Sequence, residues 1–397
     1  MCTYTLRQLL MLGVLMFCCR VESRRKLRRA SATPQFLDNW CRLSGARTDA
    51  VAHPDTMMYL LERLNAHTLA TVPAHMVRHL IRTKRLGESF LDGHLMVTID
   101  ATGIFSSNER HCPHCLTQRR DDGTVTYMHH MLEAKVVSRR GMALSLLSEP
   151  IDNPKGGAYD KQDCELKAFK RLAQRLKELF PRQRIVLLVD AEYAGAPFFA
   201  ICQRNGWRFI CTFKRGSIPT LFDEALTLLK LQPDNTLSRT HDGVCKTWRW
   251  LDHLPYQQGK HEFTLGFFDY RESHGDQQRY FAWLTNFTPS DRTVKSLTKG
   301  GRLRWKIENE GFNQQKNGYS MEHFCDCSNI NALTNLYLLL QIAHMLMQLL
   351  ARSTLATEHE TLAFLAYLLL ESLRNAPLPE YLFAPAPPRI QIRFAPP

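Results

Sequence analysis

The run Ile185–Val189 is apolar without a break and ends on Asp190, and it constrains the fold more than any other stretch of the chain. A short apolar run bounded by polar residues is the pattern of a strand covered on both faces, as happens where helices pack above and below a sheet. Asp190 then sits at the strand's C-terminal end, where a carboxylate without a partner is costly to hold. Leu95–Ile99 reads as a strand leading into Asp100, and Met131–Val137 and Met142–Leu147 as two more, joined by the turn residues Arg140-Gly141. Helical periodicity over Asp163–Phe180 stops at Pro181, a further helix follows Pro197, and Trp207–Phe213 returns to strand. Strands first, then helix and strand in alternation, predict a mixed α/β layer architecture.

At 397 residues the chain has room for roughly two to three domains. Residues 1–85 show helical spacing, in Met57, Leu60, Leu61 and Leu64 and again in Met76, Leu80 and Ile81, with a helix start at Pro54-Asp55. Leu9–Cys19 has the apolarity of a signal-peptide core. Only Arg7 precedes it, however, a basic run follows and no small-x-small cleavage site appears, so a buried helix is expected. Residues 86–215 hold the strands and helices of the α/β layer, and 216–295, rich in turns and in runs such as Phe263–Phe268 and Tyr280–Asn286, read as a β-rich insertion. Helix returns over 296–352. Its stretch Leu333–Leu350 is interrupted by Asn335, Gln341, His344 and Gln348, which predicts a packed helix and no membrane span. Residues 353–397 hold a last helix and, after Asn375, a tail with seven prolines expected to lack structure.

Lys and Arg number 51 against 38 Asp and Glu, a formal charge of +13, and Arg20, Arg24, Arg25, Lys26, Arg28 and Arg29 crowd one short segment. Such an excess favours a polyanionic partner, because each neutralised phosphate releases counterions. The basic N-terminal helices are the expected recognition surface, although no helix-turn-helix pattern stands out. Twelve cysteines follow no disulfide spacing, and Cys202 and Cys211 lie inside apolar runs, which fits a reducing, cytoplasmic setting.

Three acids stand out by position. Asp100 shares a strand face with Thr98 and Thr102, while Val97, Ile99 and Ala101 point the other way. Glu308 lies in a helical stretch with Arg304, Phe312 and Lys316 at successive four-residue steps, which on an α-helix makes one stripe. Carboxylates from two strand ends and one helix are hard oxygen donors suited to Mg²⁺ or Mn²⁺. From spacing alone the ordinary reading prevails: a strand-end aspartate is a cap or turn former, and Glu308 one partner of a solvated Arg–Glu–Lys row. Glu310 competes for the third position. Two residues turn an α-helix by about 200°, so Glu308 and Glu310 cannot both face one site. Glu192, just after Asp190, is expected in the following turn.

The segment RLRWKIENEGFNQQKNGYSMEH (Arg302–His323) resembles the third-carboxylate helix of DDE-class insertion-sequence transposases, and VTIDATG (Val97–Gly103) and VLLVDAEYAG (Val186–Gly195) resemble their first and second acidic motifs. KQDCELKAFKRL (Lys161–Leu172) and the stretch Arg110–Lys135 also resemble one branch of that family, and the similarity runs over roughly residues 5–352. The resemblance implies an RNase H-like core in which Asp100, Asp190 and Glu308 hold two Mg²⁺ or Mn²⁺ ions about 3.5–4 Å apart. It also implies double-stranded DNA as partner, both terminal inverted repeats and target, with at least a homodimer bringing two ends together at the nucleoid. Glu308 fits the family's Arg-Trp-x-Ile-Glu pattern better than Glu310. Arg302, Arg304 and Lys316 become candidates for contacting phosphate near the scissile bond, and Trp305 and Phe312 are expected in the core. One signature of the family reads Tyr, two residues, Arg, three residues, Glu, six residues, Lys. Here Gly301 stands at the tyrosine position and Lys316 comes one residue late, which puts in doubt the hairpin-end pathway tied to that tyrosine.

Two other readings remain open on the sequence: a DNA-binding protein derived from a transposase but without catalysis, and a different RNase H-like nuclease. Separately, His111-Cys112-Pro113-His114-Cys115 contains one Cys-x2-Cys pair. A structural Zn²⁺ needs four ligands, for which Cys112 and Cys115 would need two of His129, His130, Cys325 and Cys327. Reduced thiols without a metal are the plainer reading.

Overall fold

Six helices open the computed structural model, which describes residues 4–154, 161–324, 328–356 and 360–383. They are α1 (Leu6–Cys18), α2 (Arg24–Ala30), α3 (Pro34–Ser44), α4 (Pro54–Arg63), α5 (Ala66–Ala70) and α6 (Val72–Arg82). A capping box starts α1: Gln8 N–H donates to the Thr5 hydroxyl at 3.2 Å, and Thr5 N–H donates to Gln8 Oε1 at 2.8 Å. The apolar run that looked like a signal core is thus a buried helix, with Leu12 and Met16 fully enclosed.

Strands follow: β1 (Phe90–Leu91), β2 (His94–Ser107), β3 (Leu116–Arg119), β4 (Val125–Val137) and β5 (Ala143–Ile151). Then come α7 (Glu165–Leu179), β6 (Ile185–Val189), α8 (Ala196–Asn205), β7 (Arg208–Thr212) and α9 (Pro219–Leu231). The strands β8 (Thr236–His241), β9 (Val244–Gln258), β10 (His261–His274) and β11 (Gln277–Thr285) complete the β structure. They form one mixed sheet in the order β3-β4-β2-β6-β7-β11-β10-β9-β8, with β5 also on β4 and β1 on β2. β2 is antiparallel to β4 and parallel to β6, β6 is parallel to β7, and β11 is antiparallel to β7. The β-rich segment is therefore no separate layer: it opens with the helix α9 and then prolongs the sheet edge-on from β7.

Both faces of β6 are covered, as the apolar run requires, and all five of its residues are buried. Leu187 and Val189 pack with α7, α8 and α9 on one face, and Val186 and Leu188 with Trp283, Val294 and Leu297 on the other. The chain closes with α10 (Val294–Arg302), a 3₁₀ turn (Leu303–Trp305), a π-helical segment (Ile307–Asn313), α11 (Gln314–Tyr319), α12 (Met321–Phe324), α13 (Ile330–Ala351) and α14 (Leu362–Asn375). Among the described residues α13 alone is long and apolar enough to cross a membrane, and 83% of its apolar window is buried. Its polar interruptions are bonded inside the protein. Asn335 Nδ2, for instance, donates to the carbonyls of Leu61 and Leu64 at 2.9 and 2.8 Å, which is what a buried amide demands.

Beyond Asn375, where a tail without structure was expected, the described residues Ala376–Phe383 run beside α3. Asn39 Nδ2 donates to Ala376 O at 2.8 Å, and the Arg42 guanidinium donates to Leu378 O at 2.7 Å. The remaining tail prolines lie outside the described residues.

Candidate active site: carboxylates at the ends of two parallel strands

Parallel pairing of β2 with β6 runs from Leu95 opposite Ile185 to Thr98 opposite Leu188. Two residues further along each strand stand Asp100 and Asp190. Strands lie about 4.8 Å apart and side chains alternate with period two, so both aspartates arrive side by side on one face. Asp100 Oδ1 accepts from Ala101 N–H at 3.0 Å, and its Oδ2 accepts from the Arg304 guanidinium at 3.2 Å. Asp190 caps the turn Ala191–Tyr193, accepting from Glu192 N–H at 2.9 Å, and Glu192 itself points outward from that turn.

Glu308 comes from the π-helical segment and completes the group. Burial, opposed by Arg304 and reinforced by the charges of Asp190 and Glu308, pushes the Asp100 carboxyl up to about 6. Glu310 faces elsewhere: it pairs with Lys306 and lies beside Gly141. The expected stripe from Arg304 to Lys316 does not form, because 3₁₀ and π turns depart from the α period on which it depends. Phe312 is buried, Arg304 pairs with Asp100, and Lys316 pairs with Glu322 at 3.0 Å.

The π segment rests on buried polar contacts. A Cβ at Gly311 would lie 3.2 Å from Lys135 Cε, so the glycine lets the segment pack closely on that side chain. Lys135 is fully buried, 3.2 Å from the equally buried Glu133, and donates to Gln341 Oε1 at 2.6 Å. Burial holds its ammonium below the usual lysine range, against the pull of Glu133. Glu133 also accepts from Ser145 and Ser148, and Gln348 Nε2 donates to the Glu310 carbonyl at 2.6 Å. Since Glu133 is the register partner of Asp100, this network underlies the acid cluster directly.

A fourth acid belongs here that was not singled out from the sequence. Glu165, in the first turn of α7, accepts from the Tyr193 hydroxyl at 2.7 Å. Its carboxyl is pushed up to about 7 by burial, opposed by the Tyr193 bond and reinforced by Asp100, Asp190 and Glu192. Sequence alone shows only an acid at a helix N-terminus, where the helix dipole favours one anyway.

Beside Asp190 opens a cleft of about 750 Å³ lined by Lys214, Arg215, Arg279, Arg302 and Arg304, with Tyr280, Phe281 and Trp305 among them. Arg302 lies on its wall with its guanidinium carbon 5.2 Å from the Phe281 ring centre. Trp305, expected in the core, is 54% exposed, because the 3₁₀ turn carries it to the cleft. Lys316 sits apart, near His130. The absent tyrosine of the resembled signature also has a physical account: a Cβ at Gly301 would lie 2.6 Å from Trp283 Nε1. The indole occupies that space.

The Cys-x2-Cys pair converges on His129. The sulfurs of Cys112 and Cys115 lie 3.2 and 3.3 Å from His129 Nε2 and 3.7 Å from each other. Burial holds the His129 imidazole near 4, helped by His114 and His130. His130 points to the other face of β4 and does not join them, and Cys325 and Cys327 lie outside the described residues.

No family model matches the chain, and no curated protein matches its sequence.

Proposed function

We propose that this chain is a DNA transposase of the DDE class, which cleaves phosphodiesters at element ends and joins them to target DNA. The observation that carries the reading is the register of β2 and β6, which sets Asp100 beside Asp190 within the electrostatic reach of Glu308. The sheet order supports an RNase H-like core: an antiparallel β5-β4-β2 meander, then β6 and β7 on the far side of β2, reached through helices. Three carboxylates set against one guanidinium leave an excess of negative charge with oxygen donors only, which fits Mg²⁺ or Mn²⁺. Two such ions, when bound, polarise the attacking oxygen and neutralise charge on the leaving oxygen.

The protein's own groups divide the remaining work. Asp100, Asp190 and Glu308 are the ligands, and Arg304 balances Asp100 before a cation arrives. Arg302, Arg279, Arg215 and Lys214 form a basic wall for the DNA backbone. Glu165, held by Tyr193 and titrating near neutrality, is suited to take the proton of an attacking water or 3′-hydroxyl. The test is Mg²⁺-dependent cleavage of duplex DNA carrying the element's inverted repeats, followed by strand transfer. Salt-sensitive binding without cleavage, unchanged by Asp100→Asn, would instead identify a binding protein that has lost its chemistry.

A further inference from the structure

Two thiols and an imidazole meet at one point on the hairpin β3–β4, some distance from the acids. The turn Cys112–Cys115 is closed by Cys115 N–H donating to Cys112 O at 3.1 Å, and Cys112 N–H donates back to Cys115 Sγ at 3.3 Å. Asn153 fixes the turn from outside, its Nδ2 donating to Cys115 O at 3.0 Å. His129 is buried on β4 opposite Phe105.

A single Nε2 carries either one hydrogen or one lone pair, so it cannot serve two sulfurs equally, yet both lie within 3.3 Å of it. Bonds of about 2.3 Å to sulfur and about 2.0–2.1 Å to nitrogen at a tetrahedral ion set two sulfurs ~3.8 Å apart and sulfur and nitrogen ~3.6 Å apart. The separations here are 3.7 Å between the sulfurs and 3.2 and 3.3 Å to nitrogen, near those of a ligand set. Hard ions are poorly served by thiolates, so this donor set suits a thiophilic ion.

We propose that Cys112, Cys115 and His129 are three ligands of a structural site for a thiophilic divalent cation, with Zn²⁺ as occupant. Its role is to staple the segment after β2 to β4, where Cys115 and Phe105 also pack with the helical layer. The site is separate from the acid cluster. His129 lies four residues along β4 from Glu133, the partner of Asp100, or about 13 Å. The inference therefore stands independently of the transposase reading.

The experiment takes the full chain, purified without chelator, and measures metal content by elemental mass spectrometry, with Co²⁺ exchange followed by absorption. One zinc per chain is expected, along with a tetrahedral Co²⁺ spectrum bearing thiolate charge transfer. Both are lost in Cys112→Ser, Cys115→Ser and His129→Gln and kept in Asp100→Asn and His130→Gln. Because the cysteine variants can misfold, a second measurement uses the unaltered chain: alkylation at Cys112 and Cys115, mapped by mass spectrometry, rises at least tenfold when a chelator is added. Zinc retained in the Cys112→Ser/Cys115→Ser double variant overturns the proposal. So does unprotected alkylation of a chain that takes up no Co²⁺, or a disulfide joining the two residues.

Discussion

The acid cluster draws on β2 and the end of β6 and the cysteine–histidine cluster on β4 and the turn before β3, neighbouring strands of one sheet, yet they are opposite in chemistry. Asp100, Asp190 and Glu308 are hard, partly exposed donors with surplus negative charge beside an open basic cleft. Cys112, Cys115 and His129 are soft and largely enclosed, and belong to the core packed against the helical layer. One sheet thus offers a site suited to exchanging ligands and one suited to holding a fold. What separates them is cover: the helical layer packs over the second and leaves the first beside the cleft.

The largest effect expected is on cleavage. Asp100→Asn, Asp190→Asn and Glu308→Gln each lower Mg²⁺-dependent cleavage by about a thousandfold or more, because each removes a ligand of the ions on which the reaction depends. DNA binding in gel-shift assays stays intact. Glu310→Gln is expected to keep most activity, and wild-type cleavage in Glu308→Gln with loss in Glu310→Gln would reverse that assignment.

Next in size is the buried pair that underlies the acids. Lys135→Met leaves the buried Glu133 with its two serine donors but no cation, a loss of about 3–5 kcal/mol in denaturant unfolding. A smaller loss would mean that water reaches Glu133.

A third effect has the opposite sign. The folded-state value of Asp100, about 6, lies above the ordinary aspartate range. Between the two values the folded chain binds the extra proton, so this contribution to stability falls as pH rises from 4 to 7. Asp100→Asn removes the penalty and is expected to make the metal-free protein about 2 kcal/mol more stable than wild type at pH 7.5, with little difference at pH 4. Equal stability at both pH values would show that Arg304 already compensates the charge.

The smallest concerns Tyr193→Phe. Its hydroxyl lowers the Glu165 value against burial, so without it the acid limb of the pH–rate profile moves upward and the rate at pH 7 falls by about threefold. An unmoved limb would remove Glu165 from proton transfer.

How much of this could be read from residues alone varies by position. The enclosed strand ending at Asp190 was legible, because an unbroken apolar run has few other uses. That Asp100 stands beside Asp190 was not, since parallel register arises only when the sheet assembles. Trp305 was misjudged because a large aromatic is usually buried, and the 3₁₀ turn that brings it to the cleft leaves no mark in the sequence. Choosing between His129 and His130 depends on strand parity and on an irregularity between Gly103 and Phe105, neither of which leaves a trace in composition. The extension of the sheet through β11 was equally hidden, since a β-rich stretch does not say which edge it joins.

The π-helical segment also bears on the one spacing that did not match the resembled signature. There Lys316 arrives one residue late, and Ile307–Asn313, between it and Arg304, bonds to the fifth residue rather than the fourth. A helix that takes in one additional residue widens locally instead of shifting everything beyond it. Lys316, beyond that widening, stands away from the cleft and pairs with Glu322. Counting through this segment at an α period therefore misjudges which side chains face Glu308.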